Sequence, residues 1–255
     1  MTQEKILINQ FKLILENLFK NYYQQFHDKK IGVFASGGID SSIIAYFTKI
    51  FFQKITLFTL HNEKGVDLEY TKLLNQKLKQ DLQIININNQ KITEIKDKVL
   101  KLLKEKNIDA NPTQLSLASA FYLLCQNAKE QGIEVIFTGQ GPDILLAGYH
   151  MYQKIPLEKL NEKIKNDLYL LQIDKTRDNA VAQLFGLQLI NPYLEKEFID
   201  FAIKIPPNFK ISKIKDEVYE KYISRKLAEL LDLPKEIILR HKKALQYSTK
   251  IRRYF

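Results

Sequence analysis

Apolar residues follow two different periods along the first 140 residues, and each period predicts its own kind of element. Residues 4–26 carry apolar side chains at helical spacing, which predicts an amphipathic helix. Short apolar runs rich in Ile, Val and Phe predict four strands, at residues 31–35, 55–60, 82–87 and 133–137. Stretches with helical spacing predict the helices between them, at residues 41–50, 67–80, 91–106 and 115–130.

This alternation of strands and helices predicts an α/β fold with a doubly wound, mostly parallel sheet. A parallel sheet of this kind binds its ligand at the carboxyl ends of the strands, in the crevice where the strand order reverses. We therefore expect functional residues in the loops that follow the strands.

The pattern changes after Tyr149, where the strands are predicted to stop. Helical spacing predicts four more helices, at residues 157–173, 176–186, 195–204 and 214–231. No low-complexity linker separates the two parts. We predict a single domain over residues 1–255, with an α/β nucleotide-binding part at 1–150 and a C-terminal helical extension at 151–255.

The composition excludes several classes of protein. With 45% hydrophobic and 27% charged residues, the chain is expected to fold into a globule. One cysteine and four scattered histidines exclude a disulfide framework and a thiolate zinc site, and they favour a reducing, cytoplasmic location. The longest charge-free run, residues 110–128, contains polar residues and a proline, so no membrane span is predicted.

The net charge of +10 is concentrated near the carboxyl end. Residues 235–255 contain seven Lys or Arg against the single acid Glu236. A basic segment of this kind is typical of contacts with nucleic acid or with the phosphates of a nucleotide. A solvated terminus is the other reading, and charge alone does not decide between them.

The loop after the first predicted strand has the residues of a phosphate site. Its two glycines allow an anion to approach the backbone, and the following helix directs amide groups at that anion. Asp40 would repel a phosphate unless a hard cation such as Mg²⁺ lies between them, although it could instead cap the helix. The predicted phosphate-binding residues are Ser36, Gly37, Gly38, Asp40, Ser41 and Ser42.

This string, S-G-G-x-D-S-S, is neither a Walker A loop nor a dinucleotide fingerprint. It resembles the pyrophosphate loop of the N-type ATP pyrophosphatases, which include asparagine, NAD and tRNA lysidine synthetases. The resemblance implies an adenine nucleotide alpha-hydrolase-like fold and cleavage of ATP between its α and β phosphates. A substrate oxygen would be adenylated, and a nucleophile would then displace AMP.

A second loop narrows the resemblance to one branch. Residues 138–149 read T-G-Q-G-P-D-I-L-L-A-G-Y, which is similar to the G-E-G-x-D-E-x-x-G-G-Y signature of asparagine synthetases. The resemblance implies that Asp143 shares Mg²⁺ with Asp40 and takes part in catalysis, and that Leu60 and Gly139 contact ATP. A helix cap after Pro142 is the alternative role for Asp143.

The resemblance extends from about residue 4 to residue 250. Residues 239–244, L-R-H-K-K-A, resemble the R-P-K stretch that supplies an essential lysine in asparagine synthetases. We align Lys242 with that catalytic lysine, with Lys243 as the near alternative. A lysine in the crevice would stabilise charge that develops on the α-phosphate.

Three departures from the family pattern concern the acceptor and the nucleophile. Gln140 stands where the family has a glutamate, and an amide cannot act as a general base. Ile144 replaces an acid, and residues 188–190 lack the arginine that could orient a carboxylate. The glutaminase half, which needs an N-terminal cysteine, is not matched, and Cys125 is predicted to be buried packing.

We predict an ATP- and Mg²⁺-dependent, amide-forming synthetase that adenylates a carboxylate, with aspartate as the expected acceptor. Ammonia would be the nucleophile, free or from a separate glutaminase subunit. Two alternatives stay open: an ATP pyrophosphatase that modifies tRNA, and a nucleotide-binding subunit of a separate amidotransferase.

Overall fold

The computed structural model describes residues 2–214 and 217–255. Helices and strands alternate through the first half, as the periodicity predicts. The strands are β1 (Ile31–Phe34), β2 (Thr56–His61), β3 (Asp81–Asn86), β4 (Val135–Phe137), β5 (Gln188–Ile190), β6 (Ile211–Ile214) and β7 (Glu217–Glu220). The helices are α1 (Gln3–Phe26), α2 (Ile39–Phe52), α3 (Asp67–Leu78), α4 (Asn89–Glu105), α5 (Pro112–Glu130), α6 (Pro142–Leu145), α7 (Leu157–Asp167), α8 (Tyr169–Leu184), α9 (Lys196–Lys204), α10 (Tyr222–Leu230), α11 (Lys235–Ile238) and α12 (Leu245–Ser248).

Five strands form one parallel sheet in the order β3-β2-β1-β4-β5. The predicted α/β class with a doubly wound, parallel sheet is therefore confirmed. The chain builds outward from β1 to β3 and then crosses to β4 on the other side of β1. The strand order thus reverses between β1 and β4, which places the crevice at the loops that follow these two strands.

The prediction that strands stop after Tyr149 is wrong. Strand β5 joins the edge of the sheet beside β4, with Val135 opposite Gln188. Beyond the strand, the Thr138 amide donates to the Ile190 carbonyl at 3.0 Å. Three residues are too few to show a period, so only the pairing with β4 defines this strand.

The helix predicted over residues 214–231 is wrong at its start. Two of its positions, 215 and 216, lie outside the described residues, and residues 217–220 form strand β7, which pairs antiparallel with β6. Helix α10 begins only at Tyr222, because Lys221 has a left-handed backbone with φ 54°. The predicted helix 157–173 also ends early, since α7 stops at Asp167 and α8 begins at Tyr169.

The core lies on both faces of the sheet. Val33 and Phe137 face α1 and α2, where the Phe19 ring stacks on Phe137 with centroids 5.2 Å apart. Phe34 and Ile136 face the opposite side, which α4, α5 and α8 cover. The central strands β1, β2 and β4 are thus buried on two faces, which explains why they appear as continuous apolar runs in the sequence.

Two predictions drawn from composition concern helix α5, which covers the charge-free run. Cys125 is fully buried there, as predicted, and burial raises the pKa of its thiol well above the usual range. Among the helices of the described residues, none combines the length and the apolar character that a membrane span needs.

Lys210, between α9 and β6, is buried and forms no ion pair with a carboxylate of the described residues, and its Nζ donates to Asn161 Oδ1 at 2.8 Å. Burial, with a smaller contribution from Lys165, lowers the pKa of its ammonium group to about 7. The unfolded chain therefore binds this proton more tightly, and stability is lost as the pH falls from about 10.5 towards 7.

We expect Lys210→Met to raise the free energy of unfolding at pH 7 by about 1–3 kcal/mol, because the cost of the buried ammonium disappears. Urea unfolding at pH 7 and pH 10.5 measures this gain, which should shrink at the higher pH. Lys204→Met on the exposed side of α9 is the matched control and should change stability by less than about 0.5 kcal/mol. A gain that is equal at both pH values would contradict the charge explanation.

Candidate active site

The loops after β1 and β4 meet at the carboxyl end of the sheet, where they line one cavity of about 520 Å³. Gly139 makes this approach possible. A β-carbon on Gly139 would lie 2.5 Å from the Ser41 amide nitrogen and 2.7 Å from the Asp40 carbonyl carbon, so no larger residue fits. The sheet topology therefore brings the two sequence motifs together, as parallel-sheet logic predicts.

The loop after β1 is shaped by its own serines. The Ser36 amide donates to Ser41 Oγ at 3.2 Å, and Ser42 Oγ donates to the Gly38 carbonyl at 2.9 Å. Helix α2 begins directly after Gly38, and in the described structure no side chain caps it. Its first amide groups are therefore left for an anion, and the helix dipole favours one there.

The cavity is lined by most of the predicted site residues: Ser36, Gly38, Asp40, Ser41, Leu60, Gly139, Asp143 and Lys242. Gly37, in the loop, and Ser42, in the first turn of α2, do not line the cavity, and the Ser42 side chain is fully buried. An apolar wall formed by Phe34, Phe58 and Phe121 lies beside Leu60. This wall suits the flat face of a nucleobase next to the anion site.

Lys221 joins the two carboxylates. Its Nζ contacts Asp40 Oδ2 and lies 2.5 Å from Asp143 Oδ1, and its side chain is only 2% exposed. Gly148 leaves the space for this ammonium, because a β-carbon there would overlap the Lys221 side chain. Lys221 was missed in the sequence, and the only signal for it was a charged pair, Glu220-Lys221, within an alternating stretch.

Lys242 contacts the second carboxylate oxygen of Asp143, the one that Lys221 does not contact. Its Nζ lies 2.5 Å from Asp143 Oδ2 and 5.6 Å from the centre of the Tyr149 ring. The segment that resembles the catalytic lysine stretch therefore reaches the second loop. Lys243 also lines the cavity, although its side chain is exposed.

The two carboxylates titrate differently. Burial opposes the charge of Asp143, but Lys221 and Lys242 outweigh it and hold the pKa of that carboxyl well below its usual range. Burial dominates at Asp40 and raises the pKa of its carboxyl against the effect of Lys221. For Lys221, burial favours the neutral amine, yet the two carboxylates prevail and raise its pKa. The cluster therefore carries charge at positions that are largely buried.

The residues present fit a Mg²⁺ ion that arrives with a nucleotide. Asp40 Oδ1 is buried and lacks a hydrogen-bond partner among the described residues. The described part of the chain contains no group of three or more His, Cys, Asp or Glu side chains that could hold a metal alone. One or two carboxylates that act together with substrate phosphates and water are the usual protein ligands of Mg²⁺.

A second wall of the cavity carries an arginine that the sequence reasoning missed. Arg177, on α8, is 2% exposed, and its Nε donates to Asp178 Oδ1 at 2.7 Å. Its Nη1 donates to Asp174 Oδ1 at 2.7 Å and to Gln114 Oε1 at 2.8 Å. Arg177 thus lines the cavity from α8, but its donors point at protein acceptors.

Gln140 belongs to the second loop and also lines the cavity. Burial raises the pKa of the neighbouring Asp178 carboxyl to about 6, in spite of Arg177 and of a smaller opposing effect from Gln140. The amide oxygen, Gln140 Oε1, is buried and has no hydrogen-bond partner within the described chain.

We expect Lys221→Met to destabilise the protein by about 3–5 kcal/mol at pH 8, because the two carboxylates would lose the ammonium that they share and Lys242, beside Asp143, would be left to balance both. Their pKa values would rise, so stability would fall as the pH rises and the deficit should shrink at pH 5. Urea unfolding at both pH values measures this.

The matched control for this variant is Lys226→Met, on helix α10, which begins directly after Lys221. Lys226 pairs with Glu229 at 2.9 Å in a partly exposed bridge, and its loss should cost less than about 1 kcal/mol. Equal stability losses in the two variants would contradict the central position of Lys221.

Comparisons with known proteins agree with these features. A family model described as asparagine synthase matches residues 22–183 and 164–254. The putative asparagine synthetase [glutamine-hydrolyzing] 1 of Methanocaldococcus jannaschii is 30% identical over 203 residues, which are 77% of this chain and 37% of that protein. The asparagine synthetase [glutamine-hydrolyzing] of Mus musculus is 27% identical over 248 residues, which are 92% of this chain and 42% of that protein.

Among solved structures, an NMN synthetase from Francisella tularensis aligns with a TM-score of 0.47 and 13% identity, over 94% of this chain and 75% of that one. The chain spans about two fifths of the length of the curated relatives that it matches.

Proposed function

Because the chain belongs to the asparagine synthase family, we propose that it is an ATP- and Mg²⁺-dependent, amide-forming synthetase. In this proposal it adenylates a carboxylate, most naturally aspartate, and transfers ammonia to it. One observation carries the proposal: two lysines, Lys221 and Lys242, meet the carboxylates of the two loops at the N-terminus of α2. Such an arrangement would bind a polyphosphate and stabilise its negative charge while its α-phosphorus is attacked.

In the proposed complex, the β- and γ-phosphates of ATP occupy the N-terminus of α2, near Ser36, Gly38 and Ser41. The base lies against the apolar wall beside Leu60. Asp40 and Asp143 would hold Mg²⁺, which neutralises charge on the leaving pyrophosphate when it is bound. The unpartnered Asp40 Oδ1 supports this assignment.

An oxygen of the acceptor carboxylate attacks the α-phosphorus, and the bond between the α-phosphorus and the bridging oxygen of pyrophosphate breaks. Negative charge grows on the α-phosphate oxygens during this step. The Lys242 ammonium stabilises that charge from a fixed position beside Asp143. Ammonia then attacks the acyl carbon, AMP leaves with the oxygen that carried the phosphoryl group, and the nitrogen releases one proton to solvent to give the neutral amide.

Gln140 supports ammonia as the nucleophile. Its buried Oε1 is an acceptor without a partner in the described residues, so it can take an N–H from an entering ammonia molecule. An amide cannot take up a proton at neutral pH, so ammonia enters in its free-base form. The relatives are named glutamine-hydrolyzing, and we propose that a glutaminase active site supplies ammonia to the synthetase domain formed by residues 1–255.

The basic carboxyl end also supports small-molecule chemistry. Arg240 donates to the Ser36 carbonyl at 3.0 Å and pairs with Asp67 at 2.5 Å, while Lys242 pairs with Asp143. Part of this charge therefore already contacts the phosphate loop of the same chain, where it would serve a nucleotide.

The decisive experiment incubates the protein with ATP, Mg²⁺, ammonium and a panel of acceptors, including aspartate, other carboxylates and tRNA. We expect AMP and pyrophosphate to form in equal amounts, only when a carboxylate acceptor is present. The control omits ammonium from the same panel. We expect it to stop after one adenylation per enzyme molecule, because no nucleophile is present to displace AMP. Release of ADP and phosphate, or AMP formation that requires tRNA, would overturn the proposal.

A further inference from the structure

Strand β7 ends under the segment that carries Lys242. The Glu220 carboxylate at this end is only 2% exposed, and its Oε1 accepts the backbone amide of Lys242 at 2.7 Å. The same oxygen accepts Arg225 Nη2 at 2.9 Å. A buried carboxylate therefore holds the backbone of the residue whose side chain reaches Asp143.

Arg225 fixes the same segment from its other side. It is 1% exposed, and its Nε donates to the Glu220 carbonyl at 2.8 Å. Its Nη1 contacts the Ile238 carbonyl and donates to the Arg240 carbonyl at 3.0 Å. The guanidinium also stacks over the Tyr219 ring at 4.6 Å. One side chain thus ties the end of β7 to residues 238–240.

These contacts replace regular secondary structure. The segment between α11 and α12, residues 239–244, carries both Arg240 and Lys242 into the cavity. Buried backbone groups outside helices and sheets need other partners, and side chains supply them here. Lys221 directly follows Glu220 in the chain, and Glu220 also binds the Lys242 backbone. The end of β7 therefore determines the positions of both Lys221 and Lys242.

We propose that Glu220 and Arg225 form a positioning pair that holds Lys242 against Asp143, in register with Lys221. A buried ion pair is costly to desolvate and contributes little net stability, so this role accounts for its presence better than stability does. The catalytic importance of Lys242 rests on the proposed function, whereas the position of its backbone does not.

The first test measures hydrogen–deuterium exchange of a peptide that covers residues 239–244. Exchange should become at least about 10-fold faster in Glu220→Ala and change less than about 3-fold in Glu220→Gln, because Gln keeps an oxygen for the Lys242 amide. Glu217→Ala is the matched control, since this exposed carboxylate on the same strand contacts the side chains of Tyr219 and His241 and leaves the Lys242 backbone untouched. Unchanged exchange in Glu220→Ala overturns the proposal.

If Glu220→Ala does not fold, Arg225→Lys takes its place. Lysine keeps the charge but cannot reach Glu220, Ile238 and Arg240 together, so exchange of the same peptide should again rise. A native exchange rate in Arg225→Lys would overturn the proposal in the same way.

The second test follows AMP formation. We expect kcat to fall about 100-fold in Glu220→Ala and less than about 10-fold in Glu220→Gln, with KM for ATP within about twofold. In a Lys242→Ala background, Glu220→Ala should cost less than about 3-fold more, because residues that act as a unit are not additive. If the losses in kcat of Glu220→Ala and Lys242→Ala are fully additive in the double variant, the positioning role is overturned. A wild type that forms no AMP refutes the proposed function, while the exchange result still decides the position of the segment.

Discussion

Lys242→Ala is expected to lower the rate of AMP formation by about 100- to 1000-fold while ATP binding changes little. The Nζ of Lys242 lies 2.5 Å from Asp143 Oδ2, at the point where the two loops meet. An ammonium held there stabilises charge that appears on the α-phosphate in the transition state, so its loss acts on kcat rather than on binding. Single-turnover AMP release and equilibrium binding of a non-hydrolysable ATP analogue measure the two quantities.

Lys243→Ala is the matched control for this variant. Lys243 has the same charge and lines the same cavity, but its side chain is exposed. We expect its removal to change the rate less than about 3-fold, as is usual for a surface charge. If Lys243→Ala abolishes turnover and Lys242→Ala does not, the alignment of the catalytic lysine must shift by one residue.

The parts of the fold that the sequence predicts are those with a long, local signal. Strands β1 and β2 are apolar runs bounded by clear helices, and the strand order follows from the general rules for parallel sheets. Strand β5 and the β6–β7 hairpin lack such a signal, because each is three or four residues long. Their existence depends on partners distant in sequence, which periodicity cannot reveal.

The residues of the candidate site were likewise predictable only where a local sequence signal marks them. Asp40 and Asp143 follow predicted strands, and Lys242 lies in a recognisable motif, so three members of the charged cluster could be named beforehand. Lys221 could not, because its place depends on a hairpin and on a left-handed backbone at its own position. Arg177 was missed for a related reason: its helix faces the cavity only after α8 packs on α5.

Asp40→Asn is expected to lower the rate of adenylation about 1000-fold and to raise the Mg²⁺ concentration that gives half the maximal rate. An amide keeps the shape of the side chain but removes one of two charged ligands, and the lost electrostatic stabilisation falls on the transition state. The fold should survive, because Lys221 keeps Asp143 as a partner and no buried ammonium is left unpaired.

The measurement for Asp40→Asn is the rate of acceptor-dependent pyrophosphate release across a series of Mg²⁺ concentrations, beside a thermal unfolding curve. Asp143→Asn should shift the Mg²⁺ dependence in the same direction, since both carboxylates would bind one ion. Asp200→Asn is the control, because its carboxylate pairs with Lys196 on the surface of α9 and should alter neither rate nor Mg²⁺ dependence. Near-normal turnover of Asp40→Asn at low Mg²⁺ would refute the shared metal site, because a lost ligand must weaken the binding of an ion held by only two carboxylates.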